Sequence, residues 1–184
     1  MLQRVVAGVA WLAMAAVVAG CSGVGAGMEA FHVGKNLRSQ DTNLRVFLDG
    51  EQATQNKLAK GLKGYAKFEI KKPVSTSPVF RYEIIDPKKF GFIKTVSLAV
   101  HQKFEADFSD LADYKIFSKS MDSEKQMQPN KDYDLAKLGA DYKILDKKDK
   151  EVSQVKFVPG VDYLLVFTVA GDKSETIQVY FKTK

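Results

Sequence analysis

Hydrophobic and polar positions change rhythm several times along the chain. Residues 5–18 are apolar without interruption, and residues 22–27 alternate glycine with small residues, the composition of a flexible tether. Residues 28–43 are polar and irregular. Leu44-Arg45-Val46-Phe47-Leu48 has the makings of a short strand. Residues 50–64 predict one helix, with Ala53, Leu58, Ala59 and Leu62 as a weak apolar side, ended by Gly61 and Gly64. From Tyr65 onward the period becomes two. Ala66, Phe68 and Ile70 alternate with lysine and glutamate; Phe80, Tyr82 and Ile84 with Arg81 and Glu83; Val96, Leu98 and Val100 with Ser97, Ala99 and His101. Val155 and Phe157 come next. Tyr163, Leu165, Phe167 and Val169 then form the strongest strand, and after a turn at residues 170–174, Ile177, Val179 and Phe181 return. Pro73, Pro78, Asp86-Pro87 and Pro159-Gly160 punctuate the series. Half-buried strands at short intervals predict an all-β sandwich or barrel.

Residues 105–142 break this rhythm. Phe104, Phe108, Leu111, Tyr114 and Phe117 fall near helical spacing, which predicts an inserted helix near 107–120 and then a loop through Met121, Met127 and Pro129. Loops at the end of a rigid scaffold are where contact residues concentrate, and methionine adapts to varied surfaces. Met121, Met127, Gln128 and Asn130 are therefore the candidate partner-contact residues. Phe108, Leu111 and Tyr114 are expected to close the sandwich as core. On this reading a short Gly/Ser linker replaces residues 121–130 without unfolding the domain.

Twelve phenylalanines and seven tyrosines supply a core, which has to hold without a disulfide because Cys21 is the only cysteine. The net charge of +6 is spread along the chain, often beside acidic residues, as on an ordinary solvated surface. No nucleophile elbow, phosphate-cradling glycine loop or His-x-x-x-His occurs. His32 lies in the tether region and His101 is expected on the polar face of a strand, so neither predicts a metal site or catalytic base. Glu105, Asp107, Asp110 and Asp113 lack the spacing and glycine of a calcium loop. The expectation is a non-enzymatic chain with no cofactor, no metal and no nucleic-acid partner. A mixed-charge run at 146–151 predicts an exposed hairpin turn.

Arg4, the apolar run and Val18-Ala19-Gly20-Cys21 together resemble the signal and lipobox of bacterial lipoproteins. The resemblance implies a signal peptide over residues 1–20, acylation of Cys21, a tether over 21–43 and one domain over 44–184. It also implies anchoring to the membrane by acyl chains, and Ser22 after the cysteine implies sorting to the outer membrane; the anchored domain is expected to face the periplasm, with the cell surface as the open alternative. The alternative is an uncleaved membrane helix. Residues 5–20 are short against the roughly twenty needed to span a bilayer, and no Lys or Arg follows before Lys35.

The stretch from Phe157 through Pro159-Gly160 and Tyr163 to Phe167 resembles the end of immunoglobulin-like and fibronectin-like domains. In those domains a tyrosine hydroxyl ties a Pro-Gly corner to nearby backbone. The expected fold is thus an immunoglobulin-like β-sandwich with a short inserted helix. Val96-Ser97-Leu98-Ala99-Val100-His101-Gln102, Phe104, and Ala112-Asp113-Tyr114-Lys115-Ile116-Phe117 are similar to the lipoprotein of type VI secretion systems. His101 stands where that family has an aromatic residue, and the family's Asn-Pro segment after the first strand is missing. The similarity implies a docking or assembly module that meets a protein partner through a loop. The other function expected of such a chain is binding of a ligand, an envelope glycan or a host protein, in the periplasm or at the surface.

Overall fold

Residues 42–56, 65–102 and 112–184 are described by a computed structural model. The strands are β1 (Leu44–Leu48), β2 (Glu51–Gln52), β3 (Thr54–Gln55), β4 (Ala66–Glu69), β5 (Val79–Ile84) and β6 (Thr95–His101), of which β1, β4, β5 and β6 fall where the sequence pattern places them. They continue as β7 (Tyr114–Ser118), β8 (Tyr133–Asp134), β9 (Tyr142–Asp146), β10 (Glu151–Val152), β11 (Asp162–Ala170) and β12 (Ser174–Lys182). One sheet has the order β2-β1-β5-β8. The other has the order β10-β9-β7-β6-β11-β12-β4-β3. Among the described strands the pairings are antiparallel except β12 with β4, where Ile177 faces Ala66, and a single parallel bridge joins Val74 to Thr183. The two sheets form an all-β sandwich.

The core lies between the sheets. Leu44, Val46, Phe80 and Tyr82 from the first sheet meet Leu98, Val100, Leu165, Phe167, Val179 and Phe181 from the second. At its centre Phe167 packs edge-on to Phe80 at 5.1 Å and against Tyr82 at 4.9 Å between ring centroids, the offset geometry that ring quadrupoles favour.

Two expected helices need correction. Residues 51–55 of the supposed helix at 50–64 are β2 and β3. Asp49 and Gly50 have φ of 50° and 79°, and Leu48 pairs with Glu51. This is a two-residue hairpin turn, whose backbone twist suits the flanking strands and calls for Asn, Asp or Gly. Residues 57–64 of that segment, including Leu58, Ala59 and Leu62, lie outside the described residues. The helix near 107–120 is also overturned where it can be seen: Tyr114–Ser118 is a strand paired with β6 on one side and β9 on the other. Only Ile116 of β7 is buried, so its period of two is faint. Phe104, Phe108 and Leu111 lie outside the described residues. Val155 and Phe157 are core residues but belong to no strand.

The corner before β11 is tied as expected. The Tyr163 hydroxyl accepts the Val158 N–H at 2.8 Å, and its ring stacks on Phe181 at 5.6 Å. Thr183 Oγ1 donates to the Val158 carbonyl nearby. Tyr163→Phe removes one bond and keeps the ring, so it is expected to cost about 0.5–1.5 kcal/mol. A urea midpoint equal to wild type contradicts this.

Candidate contact surface

The loop after β7 carries the four candidate contact residues and is built onto the sandwich rather than hung from it. Tyr82, in the middle of β5, holds it twice. The Tyr82 hydroxyl donates to the Met127 carbonyl at 2.6 Å, and the Asn130 N–H donates to the Tyr82 carbonyl at 2.8 Å. Burial, with the nearby Tyr133 and Tyr142, holds the Tyr82 phenol well above its ordinary pKa. Gln126 is itself buried. Its Oε1 accepts the Val96 N–H at 3.2 Å, and its Nε2 donates to the Ser120 carbonyl. A glutamine thereby satisfies the Val96 N–H near the start of β6, as buried polar groups require.

These contacts separate the four residues. Met127 is 2% exposed and belongs to the core, so it offers no surface. Met121 is 77% exposed. Gln128 is half-buried: its N–H donates to the Tyr133 hydroxyl at 2.6 Å and its amide donates to the Ser123 carbonyl at 2.7 Å. Asn130 is exposed with φ of 63°, a left-handed conformation that asparagine tolerates better than most residues. The expectation that residues 121–130 are replaceable by a Gly/Ser linker is therefore corrected. The exchange would strip Gln126 and Met127 from the interior and leave the Tyr82 hydroxyl and the Val96 N–H without partners.

The remaining chemical candidates resolve as follows. Cys21, His32, Glu105, Asp107 and Asp110 lie outside the described residues. The carboxylate of Asp113 accepts the Gln102 N–H at 2.6 Å. His101, expected on a polar surface, is 7% exposed. It ends β6 opposite Leu164 of β11, and Leu164 and Gln178 are buried as well, so both faces of the sheet are covered there. That burial lowers the His101 pKa, and Asp113 pulls it back upward. Among the described residues no cluster of His, Cys, Asp and Glu suits a metal ion, and no helix is long and apolar enough to cross a membrane.

A shallow cleft of about 370 Å³ opens beside β9 and β10, lined by Tyr114, Asp146, Val152, Ser153, Gln154 and Lys156. The Asp146 carboxylate accepts the N–H groups of Lys148 and Lys150 at 2.8 and 3.0 Å, which hold its pKa below the ordinary carboxylate value. The same bonds close the β9–β10 turn, the hairpin expected from the charge run at 146–151. Neighbouring lysines are paired, Lys115 with Asp149 at 2.9 Å and Lys119 with Glu151 at 3.2 Å.

Residues that pattern reasoning passed over stand at one end of the sandwich. Phe92 is 59% exposed and Ile85 is 52% exposed, in the connection between β5 and β6. The signal for them was an apolar run, Phe90 to Ile93, inside a segment already identified as a turn. The described chain enters at this same end. Glu175, at the start of β12, accepts the Asn43 N–H at 3.0 Å and the Thr42 hydroxyl, while Asn43 bonds the backbone of Ile85 and Asp86. Burial raises the Glu175 pKa, and the Thr42 and Asn43 bonds draw it partly back. No protein-family model, curated protein or solved structure matches the chain.

Proposed function

We propose that this chain is a lipid-anchored lipoprotein of the cell envelope whose β-sandwich acts as a non-enzymatic docking module for a protein partner. The observation that carries the proposal is Cys21, alone of its kind, directly after Val18-Ala19-Gly20 and an apolar run headed by Arg4. Two or more acyl chains make anchoring stable, at about 0.8 kcal/mol per buried methylene. Ser22 after the cysteine supports sorting to the outer membrane, and a periplasmic orientation is part of the proposal. The resemblance around residues 96–117 makes a secretion system the setting we favour. An immunoglobulin-like arrangement is supported by the Tyr163 hydroxyl on Val158 and by the parallel approach of β4 to β12. A docking role is supported by the loop at 119–130, which the Tyr82 and Gln126 bonds hold in one shape with Met121 outward; preorganised loops bind without an ordering cost. A presenting rather than a catalytic domain is also supported by its carboxylates, since those of Asp113, Asp146 and Glu175 all accept backbone N–H groups.

A second reading is favoured by the cleft at Tyr114. Its hydroxyl, carboxylate and amide groups suit the hydroxyls of an envelope glycan, which makes ligand binding the alternative function.

Cys21→Ser is expected to abolish incorporation of a palmitate analogue and to release the protein from the outer-membrane fraction. Undiminished labelling of the variant contradicts the acylation site. Wild-type protein sedimenting with inner membrane contradicts the sorting argument.

A further inference from the structure

The connection between β5 and β6 is a rigid apolar tip ringed by lysines. Asp86 opens it: its carboxylate accepts the Lys88 N–H at 3.1 Å and starts a short 3-10 helix at Pro87–Lys89. Phe90 then turns into the core at 2% exposure. Gly91 follows with φ of 60°, and a Cβ there would collide with Asp172. The Phe90 carbonyl accepts the Asp172 N–H at 3.0 Å, and Lys94 N–H donates to the Ala170 carbonyl at 2.8 Å. Both sides of the Gly91–Ile93 tip are thereby fixed to the end of β11 and the β11–β12 turn. What this frame holds outward is Phe92, with Ile85 at its base and Lys88, Lys89 and Lys94 exposed around them.

Burying Phe90 while presenting Phe92 two residues later is not what a solvated turn needs, since large apolar side chains in water gain nothing. A basic rim around an exposed aromatic suits the headgroup region of a bilayer, where the ring enters the acyl boundary and ammonium groups meet phosphates. The acidic groups at this end, Asp86, Asp172 and Glu175, offset part of that charge, and Lys89 acts electrostatically on Glu175; with Lys173 the lysines outnumber them by four to three, which leaves a small net positive charge. The described chain also enters the domain here, where the Asn43 carbonyl accepts the Ile85 N–H at 2.9 Å, so the sequence before Thr42 connects at this end. Val158, another exposed large apolar residue, lies at the other end, in the connection leading into β11.

We propose that the tip formed by Ile85 and Phe92, with Lys88, Lys89 and Lys94, seats the domain on an anionic lipid surface and so fixes which end faces away from the membrane. The proposal concerns the domain's own surface and stands whether or not Cys21 is acylated.

The test uses the full chain with Trp11→Phe, so that a single reporter tryptophan is introduced by Phe92→Trp or, in a separate protein, by Val158→Trp. Each is reconstituted into phosphatidylcholine vesicles with or without phosphatidylglycerol, with bromine on the acyl chains as quencher. Both proteins carry the same N-terminal segment, so a difference in quenching between the two positions reports orientation. Strong quenching at position 92, weak quenching at 158, and a 92-to-158 ratio that rises with phosphatidylglycerol are expected. Lysines near an anionic surface are each worth roughly a fivefold change in affinity, so Lys88→Gln, Lys89→Gln and Lys94→Gln together are expected to lower that ratio at least roughly fivefold. Equal quenching at the two positions, no quenching at 92, or a ratio indifferent to the lysines and to phosphatidylglycerol overturns the proposal. A tip left unquenched in this way is one turned toward a protein instead.

Discussion

Phe167→Ala is expected to lower the unfolding free energy by about 3–5 kcal/mol, the range for emptying a buried aromatic site. Phe167 is fully buried. It sits in β11, between β6 and β12, and its ring is the piece of the large sheet that touches both Phe80 and Tyr82 of the small one. Removing it deletes the aromatic joint between the sheets, and the neighbours cannot close the gap without moving the backbone of a central strand. Chemical denaturation followed by far-ultraviolet circular dichroism measures the effect. An unchanged midpoint with an unchanged slope contradicts a core organised around this ring.

The second large effect separates two methionines that look alike in composition. Met127→Ala is expected to cost about 2–5 kcal/mol, as for other buried aliphatic truncations. Met121→Ala is expected to stay within about 0.5 kcal/mol of wild type, as exposed substitutions do. If the loop meets a partner, the Met121 variant loses affinity while its denaturation curve does not move. Equal stability losses in the two variants contradict the placement of Met127 in the core and Met121 outside it.

The long strands were legible in the sequence because each buries one face for most of its length. β11 and β12 run nine residues each, enough for Tyr163 to Val169 and Ile177 to Phe181 to repeat the period several times. β7 was not legible. It is five residues long with Ile116 alone buried, and Tyr114 and Phe117 lie on opposite faces of a half-exposed strand while sitting three apart, as on a helix. The β1–β2 hairpin was legible in principle: Asp49-Gly50 is a strong turn signal, and it was outweighed by the helical spacing of Ala53, Leu58 and Leu62. For the contact loop, the presence of adaptable side chains could be seen, but not which of them face outward. That depends on the Tyr82 hydroxyl reaching a carbonyl 45 residues away, a tertiary contact with no local trace. His101 was misplaced for a related reason. Alternation assigns a face to a side chain, and only the neighbouring strands decide whether that face is covered.

Thr42 and Asn43, the first described residues, are fastened by Glu175 to the end of the sandwich that carries Ile85 and Phe92. The most direct test of the proposed anchor is the intact mass of the protein extracted from its own membrane, with sequencing of its amino-terminal peptide. A chain that begins at Cys21 and carries acyl chains on that residue is the predicted result. A chain that retains residues 1–20, with Cys21 unmodified, contradicts it.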